Sequence, residues 1–187
     1  MRLATLHDEY GGRVTFEWRN FLLQPTPRSK PLDRFIAYTQ RWVAPGGPAD
    51  NEPGCGFRPW TAEDPPPPTH SLPPAVAGRL AAEAGRDVFE RFHLAAMGAY
   101  FVEHRTISEA EELADIAGEC GLDRARFLVD LRHRGGELQR MVLDDHTAAL
   151  DAGVHAVPSV GVNGFAIPGA QDLAVYRRMI DRLLSRR

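Results

Sequence analysis

Gly153-Val-His-Ala-Val157-Pro158-Ser-Val-Gly-Val-Asn163-Gly164-Phe-Ala-Ile-Pro168-Gly169-Ala-Gln171 is the stretch on which the reading of this chain turns. A helix-forming run ends at Ala152, so Gly153 can take the left-handed conformation that closes a helix and satisfies its last carbonyls. Val154 to Val157 then form a turn ahead of Pro158. Val160 and Val162 alternate with small residues as far as Asn163-Gly164, the dipeptide best suited to a type I′ hairpin because both positions tolerate positive φ. A second strand over Phe165 to Ile167 pairs back antiparallel, and Gly169 ends it. Leu173, Tyr176, Met179, Ile180, Leu183 and Leu184 then recur at helical spacing. The local order is helix, proline turn, strand, strand, helix.

Upstream, Leu3 to Tyr10 reads as the last turns of a helix closed by Gly11-Gly12. Val14, Phe16 and Trp18 alternate with Thr15, Glu17 and Arg19, the period-2 pattern of a strand with one buried face, and the run continues through Phe21-Leu22-Leu23 to Pro25. From Arg28 to Pro74 prolines and glycines are dense. Pro65 to Pro68 form a stiff polyproline II stretch that can enter neither helix nor sheet, expected as a surface connector with a proline-recognition ligand as the alternative. Leu32 to Val43 predict a short helix. Helical signals dominate from Leu72 to Ala152: Ser71 as N-cap with Pro73-Pro74 in the first turn, a buried face of Val88, Phe89, Phe92, Ala95, Ala96, Ala99 and Tyr100, and a capping box at Ser108-Glu-Ala-Glu111. One further helix is expected from Asp123 and a separate one from about Gly136 to Ala152.

At 187 residues and a net charge of -3, the chain fits one domain, with or without an inserted subdomain, and can bury a substantial core. Charges of both signs are interspersed, without the basic stripe that nucleic-acid binding requires. No apolar run approaches a membrane span, and charge interrupts the first nine residues before any signal-peptide core develops. Neither nucleic acid nor membrane is an expected partner, and the default location is the cytoplasm. Two cysteines, Cys55 and Cys120, lie far apart, and neither belongs to a Cys-x-x-Cys pair. Two unrelated free thiols are expected in such a compartment. Cys55, in a Gly/Pro-rich loop near Arg58, is the candidate for reactivity, although nothing in the sequence visibly lowers its pKa.

The opening stretch resembles the carboxy-terminal half of the thioredoxin fold, and specifically the DsbA family in its FrnE-like branch, with Gly-Val-x-x-Val-Pro, a hairpin and Gly-Ala-Gln. The Arg13 to Leu23 run and Ala99-Tyr-Phe-Val-Glu-His-Arg-Thr-Ile-Ser108 resemble the same branch, so the likeness covers nearly the whole chain. It implies an α/β thioredoxin-like fold with an inserted helical subdomain, the partial core at 1–30 and 150–187 and the connector plus insert at 31–149. It further implies a cis Val157-Pro158 bond, in which proline reduces the preference for trans to roughly 0.5–1 kcal/mol. Val157 and Pro158 would offer their backbone to a thiol- or disulfide-containing peptide, or to a small thiol such as glutathione. His155, three residues before Pro158, would tune a thiolate or hold a substrate carboxylate; the alternative is a simple turn residue. No cofactor is implied.

The family's chemistry resides in a Cys-x-x-Cys at the start of the first helix, where the helix dipole stabilises a thiolate. This chain begins after the position where that element belongs, so the resemblance implies a fold incomplete at the N-terminus and a protein inactive as given. Three explanations are open: a start codon placed too far downstream, a truncation completed by a partner strand such as one from a second copy in a homodimer, or a sheet that closes directly between the two remaining strands. The implied activity is that of a thiol-disulfide oxidoreductase or disulfide isomerase. Alternatives are a glutathione-dependent enzyme similar to 2-hydroxychromene-2-carboxylate isomerase and kappa-class glutathione transferase, or a non-catalytic peptide binder. Gly169-Ala-Gln171 favours the first. Seven histidines raise a metal reading, but there is no HExxH, Cys/His cluster or paired spacing, and solvated or core roles are expected for His93, His104, His133 and His146.

Overall fold

Eight helices form among the described residues: α1 (Arg2–Tyr10), α2 (Leu32–Thr39), the single turn α3 (Pro48–Asn51), α4 (Leu72–Ala82), α5 (Arg86–Phe101), α6 (Ala110–Glu119), α7 (Arg124–Asp151) and α8 (Leu173–Leu184). One antiparallel hairpin, β1 (Ser159–Val162) and β2 (Phe165–Pro168), supplies the strands. The structure is a computed structural model and describes residues 2–51, 54–162 and 165–185. It divides into two units, Met1–Phe21 with Asp145–Arg187, and Leu22–Asp144.

The Leu22–Asp144 unit has a helical core. Val76, Ala77, Leu80 and Ala81 of α4 pack with Phe92, Ala96 and Ala99 of α5, Leu113, Ala114, Ile116 and Ala117 of α6, and Phe127, Leu131, Leu138 and Val142 of α7. The alanines matter as much as the large side chains, because they allow helices to approach and fill space without voids. A second, aromatic cluster joins Phe35 and Trp42 to Trp60, with Tyr100 and Phe101 packed against it. The polyproline stretch is tied down here: the Trp60 indole donates to the Pro65 carbonyl at 2.9 Å and the Thr106 hydroxyl to that of Pro66 at 2.9 Å. These contacts bind it as a connector.

Several local expectations are corrected. Gly135-Gly136 does not separate two helices; α7 runs through it as one helix of 28 residues. Each glycine costs a helix roughly 0.5–1 kcal/mol relative to alanine, but Phe127, Leu131, Leu138 and Val142 keep one buried face in phase on both sides, and packing outweighs that cost. The capping box fails as well. Helix α6 begins one residue later than the box requires, with Glu109 as an N-cap that makes no side-chain cap bond, and the Ser108 hydroxyl is buried without a partner. Glu111 is drawn instead to Arg132, and Glu112 to Arg105. Ser71 does stand at the N-cap of α4, but its hydroxyl bonds the backbone of Gln24 rather than the helix end.

In the other unit, Leu6 and Tyr10 of α1 meet Tyr176 and Ile180 of α8, and Val14, Phe16, Val160, Leu173 and Leu184 pack around them. The Tyr10 hydroxyl donates to Asp181 at 2.9 Å, and the Arg177 guanidinium meets Glu9 at 2.8 Å. The expected strand over Val14 to Leu23 is absent. Val14 is extended, and Val14 and Phe16 are half-buried while Thr15 and Glu17 are exposed, so the alternation holds from Val14 to Glu17; Trp18, expected on the same buried face, is exposed. A strand, however, is defined by pairing, and no ladder joins this segment to another among the described residues. It is held by side chains instead: buried Asp145 accepts from the Arg19 guanidinium at 2.9 Å and from the Asn20 side-chain amide at 3.0 Å. Direct closure of a sheet between this segment and β1 is thereby ruled out for the described residues; β1 pairs with β2.

Candidate functional site

The carboxyl end of α7 sets the position of the proline loop. Gly153 adopts φ +78°, its N–H donates to the Leu150 carbonyl at 2.9 Å, and the Val154 N–H reaches back to Ala149 at 2.9 Å. This is the paired closure of a glycine-terminated helix, and it turns the chain sharply into His155-Ala156-Val157-Pro158, all exposed. The Ser159 hydroxyl donates to the Ala156 carbonyl at 2.7 Å, bracing the loop from within.

Beyond the loop, the pairing runs Ser159 with Pro168, Val160 with Ile167, Gly161 with Ala166 and Val162 with Phe165. The Asn163-Gly164 turn expected to join the strands lies outside the described residues. The Gly169 N–H donates to the Pro158 carbonyl at 2.8 Å, adding one bond beyond the ladder. The Val157-Pro158 peptide bond is cis. Pro158 thus has its carbonyl engaged, whereas the backbone of Val157 makes no hydrogen bond within the described residues, and its side chain is 45% exposed. An extended ligand can therefore find a donor and an acceptor there. His155 is exposed and makes no hydrogen bond or ion pair within the described residues, so its imidazole is open to solvent beside Val157 in sequence.

The remaining candidates are dispersed. Cys55 and Cys120 are free, half-buried thiols in the Leu22–Asp144 unit, whereas Pro158 belongs to the other. Burial first, and the Glu119 carboxylate second, push the Cys120 thiol above its ordinary range, the opposite of what a nucleophilic thiolate needs. Asp145 and His146 are structural, one anchoring Arg19 and Asn20, the other meeting the Phe21 ring edge-on at 5.0 Å. Among the described residues, no group of three or more His, Cys, Asp or Glu side chains is arranged to hold a metal ion.

One polar constellation escaped the sequence reading. His104, fully buried and at φ +60°, lies flat against Trp60 with ring centroids 3.9 Å apart. Its Nε2 stands 2.8 Å from the Arg58 carbonyl and its Nδ1 2.9 Å from the Asp64 carboxylate, the second a close polar contact rather than a well-aligned hydrogen bond. Asp64 also accepts from the Thr61 N–H and hydroxyl, each at 2.8 Å, and from Arg58 at 3.0 Å. Burial pushes the Asp64 carboxyl up, but the contact with His104 and the hydrogen bonds from Thr61 outweigh it and hold the group well below the usual carboxylate range. Forty residues of sequence separate Asp64 from His104, and no short motif signals the pair.

Residues 69–181 match the family model of the DSBA-like thioredoxin domain. The chain belongs to the DsbA-like thioredoxin family. Solved structures agree in fold. A candidate protein disulfide isomerase from Nitrosomonas europaea superposes with a TM-score of 0.74 at 17% identity, covering 99% of this chain and 89% of that one. The cytosolic disulfide reductase DsbM from Pseudomonas aeruginosa gives 0.64 at 19% identity, covering 100% and 91%, and its structure with GSH gives 0.62 at 19%, covering 99% and 90%. No curated protein sequence matches this chain. The DsbA-like fold is here a helix-rich body with a small antiparallel sheet. No helix among the described residues is long and apolar enough to cross a membrane.

Proposed function

We propose that this protein serves thiol-disulfide exchange as a DsbA-family oxidoreductase or disulfide isomerase of the FrnE-like branch, with the proline loop as its substrate seat. The exposed, unpaired backbone of Val157 carries the reading. A cysteine-containing peptide in extended form, or glutathione, would pair its backbone with Val157 and place its sulfur beside the loop, with His155 available to a substrate carboxylate. Family membership supports the reaction class, and the DsbM structure with GSH supports a small thiol as ligand. The Met1–Phe21 and Asp145–Arg187 unit corresponds in this reading to the thioredoxin-like core, and Leu22–Asp144 to the connector and inserted helical subdomain. The cytoplasm is the proposed location, in keeping with two free cysteines and a cytosolic neighbour.

The 187 residues contain no Cys-x-x-Cys, so binding, rather than turnover, is the first test. Titration of isotopically labelled protein with reduced glutathione, and separately with a short cysteine-containing peptide, should shift the amide signals of Val154 to Val157 and Ser159. The reading fails if these signals stay fixed at millimolar probe, or if only residues elsewhere respond.

A further inference from the structure

We propose that Tyr176 is a positioning residue for the proline loop, acting through the Gly169–Gln171 turn; this rests on Val157 and Pro158 being the substrate seat. The ring of Tyr176 is buried, 5% exposed, in the cluster with Leu6, Tyr10 and Ile180. Its hydroxyl leaves that apolar setting to bridge the turn after β2. It accepts from the Gln171 N–H at 3.2 Å and donates to the Gly169 carbonyl at 3.4 Å. Gly169 adopts φ +77° and gives its own N–H to the Pro158 carbonyl at 2.8 Å. Gln171 closes the same turn with its side-chain amide on the Pro168 carbonyl at 2.9 Å.

The chain of contacts therefore runs from the core of the α1–α8 cluster, through one phenol oxygen and a three-residue turn, to the carbonyl next to the exposed Val157 backbone. A hydroxyl in this place does what a hydrophobic ring cannot. It fixes both ends of a turn whose glycine would otherwise be free to leave the left-handed region, and with it the donor that holds Pro158. With Pro158 held, Val157 presents its backbone in one orientation, and a ligand need not order the loop on binding.

Tyr176→Phe keeps the ring and removes only the oxygen. The matched control is Tyr10→Phe in the same cluster, whose hydroxyl bonds Asp181 and the Arg177 carbonyl and does not touch the turn. Both variants lose a hydrogen-bonded hydroxyl from the same core, so a merely structural role predicts the same behaviour for both. The positioning role predicts amide exchange at Gly169 and Gln171 faster by roughly tenfold in Tyr176→Phe, the loss of about one hydrogen bond. It further predicts glutathione affinity, read from the Val157 amide, weaker by about three- to tenfold, with Tyr10→Phe at wild-type values on both counts. Unchanged exchange at Gly169, or equal loss of glutathione affinity in the two variants, overturns the positioning role. If wild type itself binds neither glutathione nor a cysteine peptide at Val157, the substrate-seat reading falls and the positioning role with it. Wild-type binding together with unaltered affinity in Tyr176→Phe overturns the positioning role alone.

Discussion

Replacing Asp64 with Ala removes one carboxylate from a site where His104 is fully buried and stacked on Trp60. Asp64 is itself 9% exposed in its side chain. Hydrogen bonds to a charged group contribute about 1.5–3 kcal/mol each, and Asp64 accepts two from Thr61. The geometry here argues for the lower end, since the Nδ1 contact is not an aligned hydrogen bond and the His104 Nε2 keeps the Arg58 carbonyl. The Arg58 contact adds under about 1 kcal/mol, its guanidinium being half-exposed. A total of about 3 kcal/mol follows, and with a urea dependence of about 1.5–2 kcal/mol per molar the midpoint should fall by about 1.5–2 M. Urea unfolding followed by tryptophan fluorescence in a Trp18→Phe background measures this, because Trp42 and Trp60 then report on the Leu22–Asp144 unit alone. The pH dependence has a fixed sign. A carboxylate held below its ordinary value of 3.8 stabilises the fold fully above that pH, and the contribution is lost as pH falls below it. The gap between wild type and variant should thus be constant from pH 7 to about 5 and narrow below about 4. A gap smaller than about 1 kcal/mol at pH 7, or one that persists unchanged at pH 3, refutes the account of this cluster.

Gly136→Ala should stabilise the protein by about 0.5–1 kcal/mol, seen as a raised thermal midpoint, because an added Cβ meets nothing within 4 Å and the position is helical; destabilisation would mean that α7 is interrupted there. In an insulin-reduction assay this 187-residue chain should stay at the uncatalysed rate, and Cys55→Ser and Cys120→Ser should leave it there, since both thiols belong to the helical unit and burial raises that of Cys120. Turnover that disappears with either substitution would show that a lone cysteine does the chemistry.

Local rules read correctly wherever neighbours in sequence are also the physical partners. Gly153 closes α7 because the orphan carbonyls it serves lie only three and five residues upstream of their donors. The apolar spacing of α2, α5 and α8 gave their buried faces for the same reason: helix periodicity fixes which side chains share a side before any partner is known. The turn into Pro158 and the hairpin after it were readable because the glycine, the proline and the strands that shape them fall within one short segment.

What failed were inferences that needed a partner from elsewhere in the chain. Alternation at Val14 to Glu17 matches a backbone with two faces, but pairing depends on a neighbouring strand, and Asp145 holds the following residues by side chains instead. Glu111 fits a capping box with Ser108 by spacing, yet the helix starts one residue later and Glu111 meets Arg132, a residue 21 positions away, instead. Asp64 with His104, and Tyr176 with Gly169 and Gln171, belong to the same class. Periodicity thus specified the buried faces of α5 and α8, and local turn chemistry the glycine closure and the hairpin that follow α7; which polar atoms meet across that frame was settled by packing, because hydrogen bonds and ion pairs act over about 3 Å and only the folded chain brings distant residues that close.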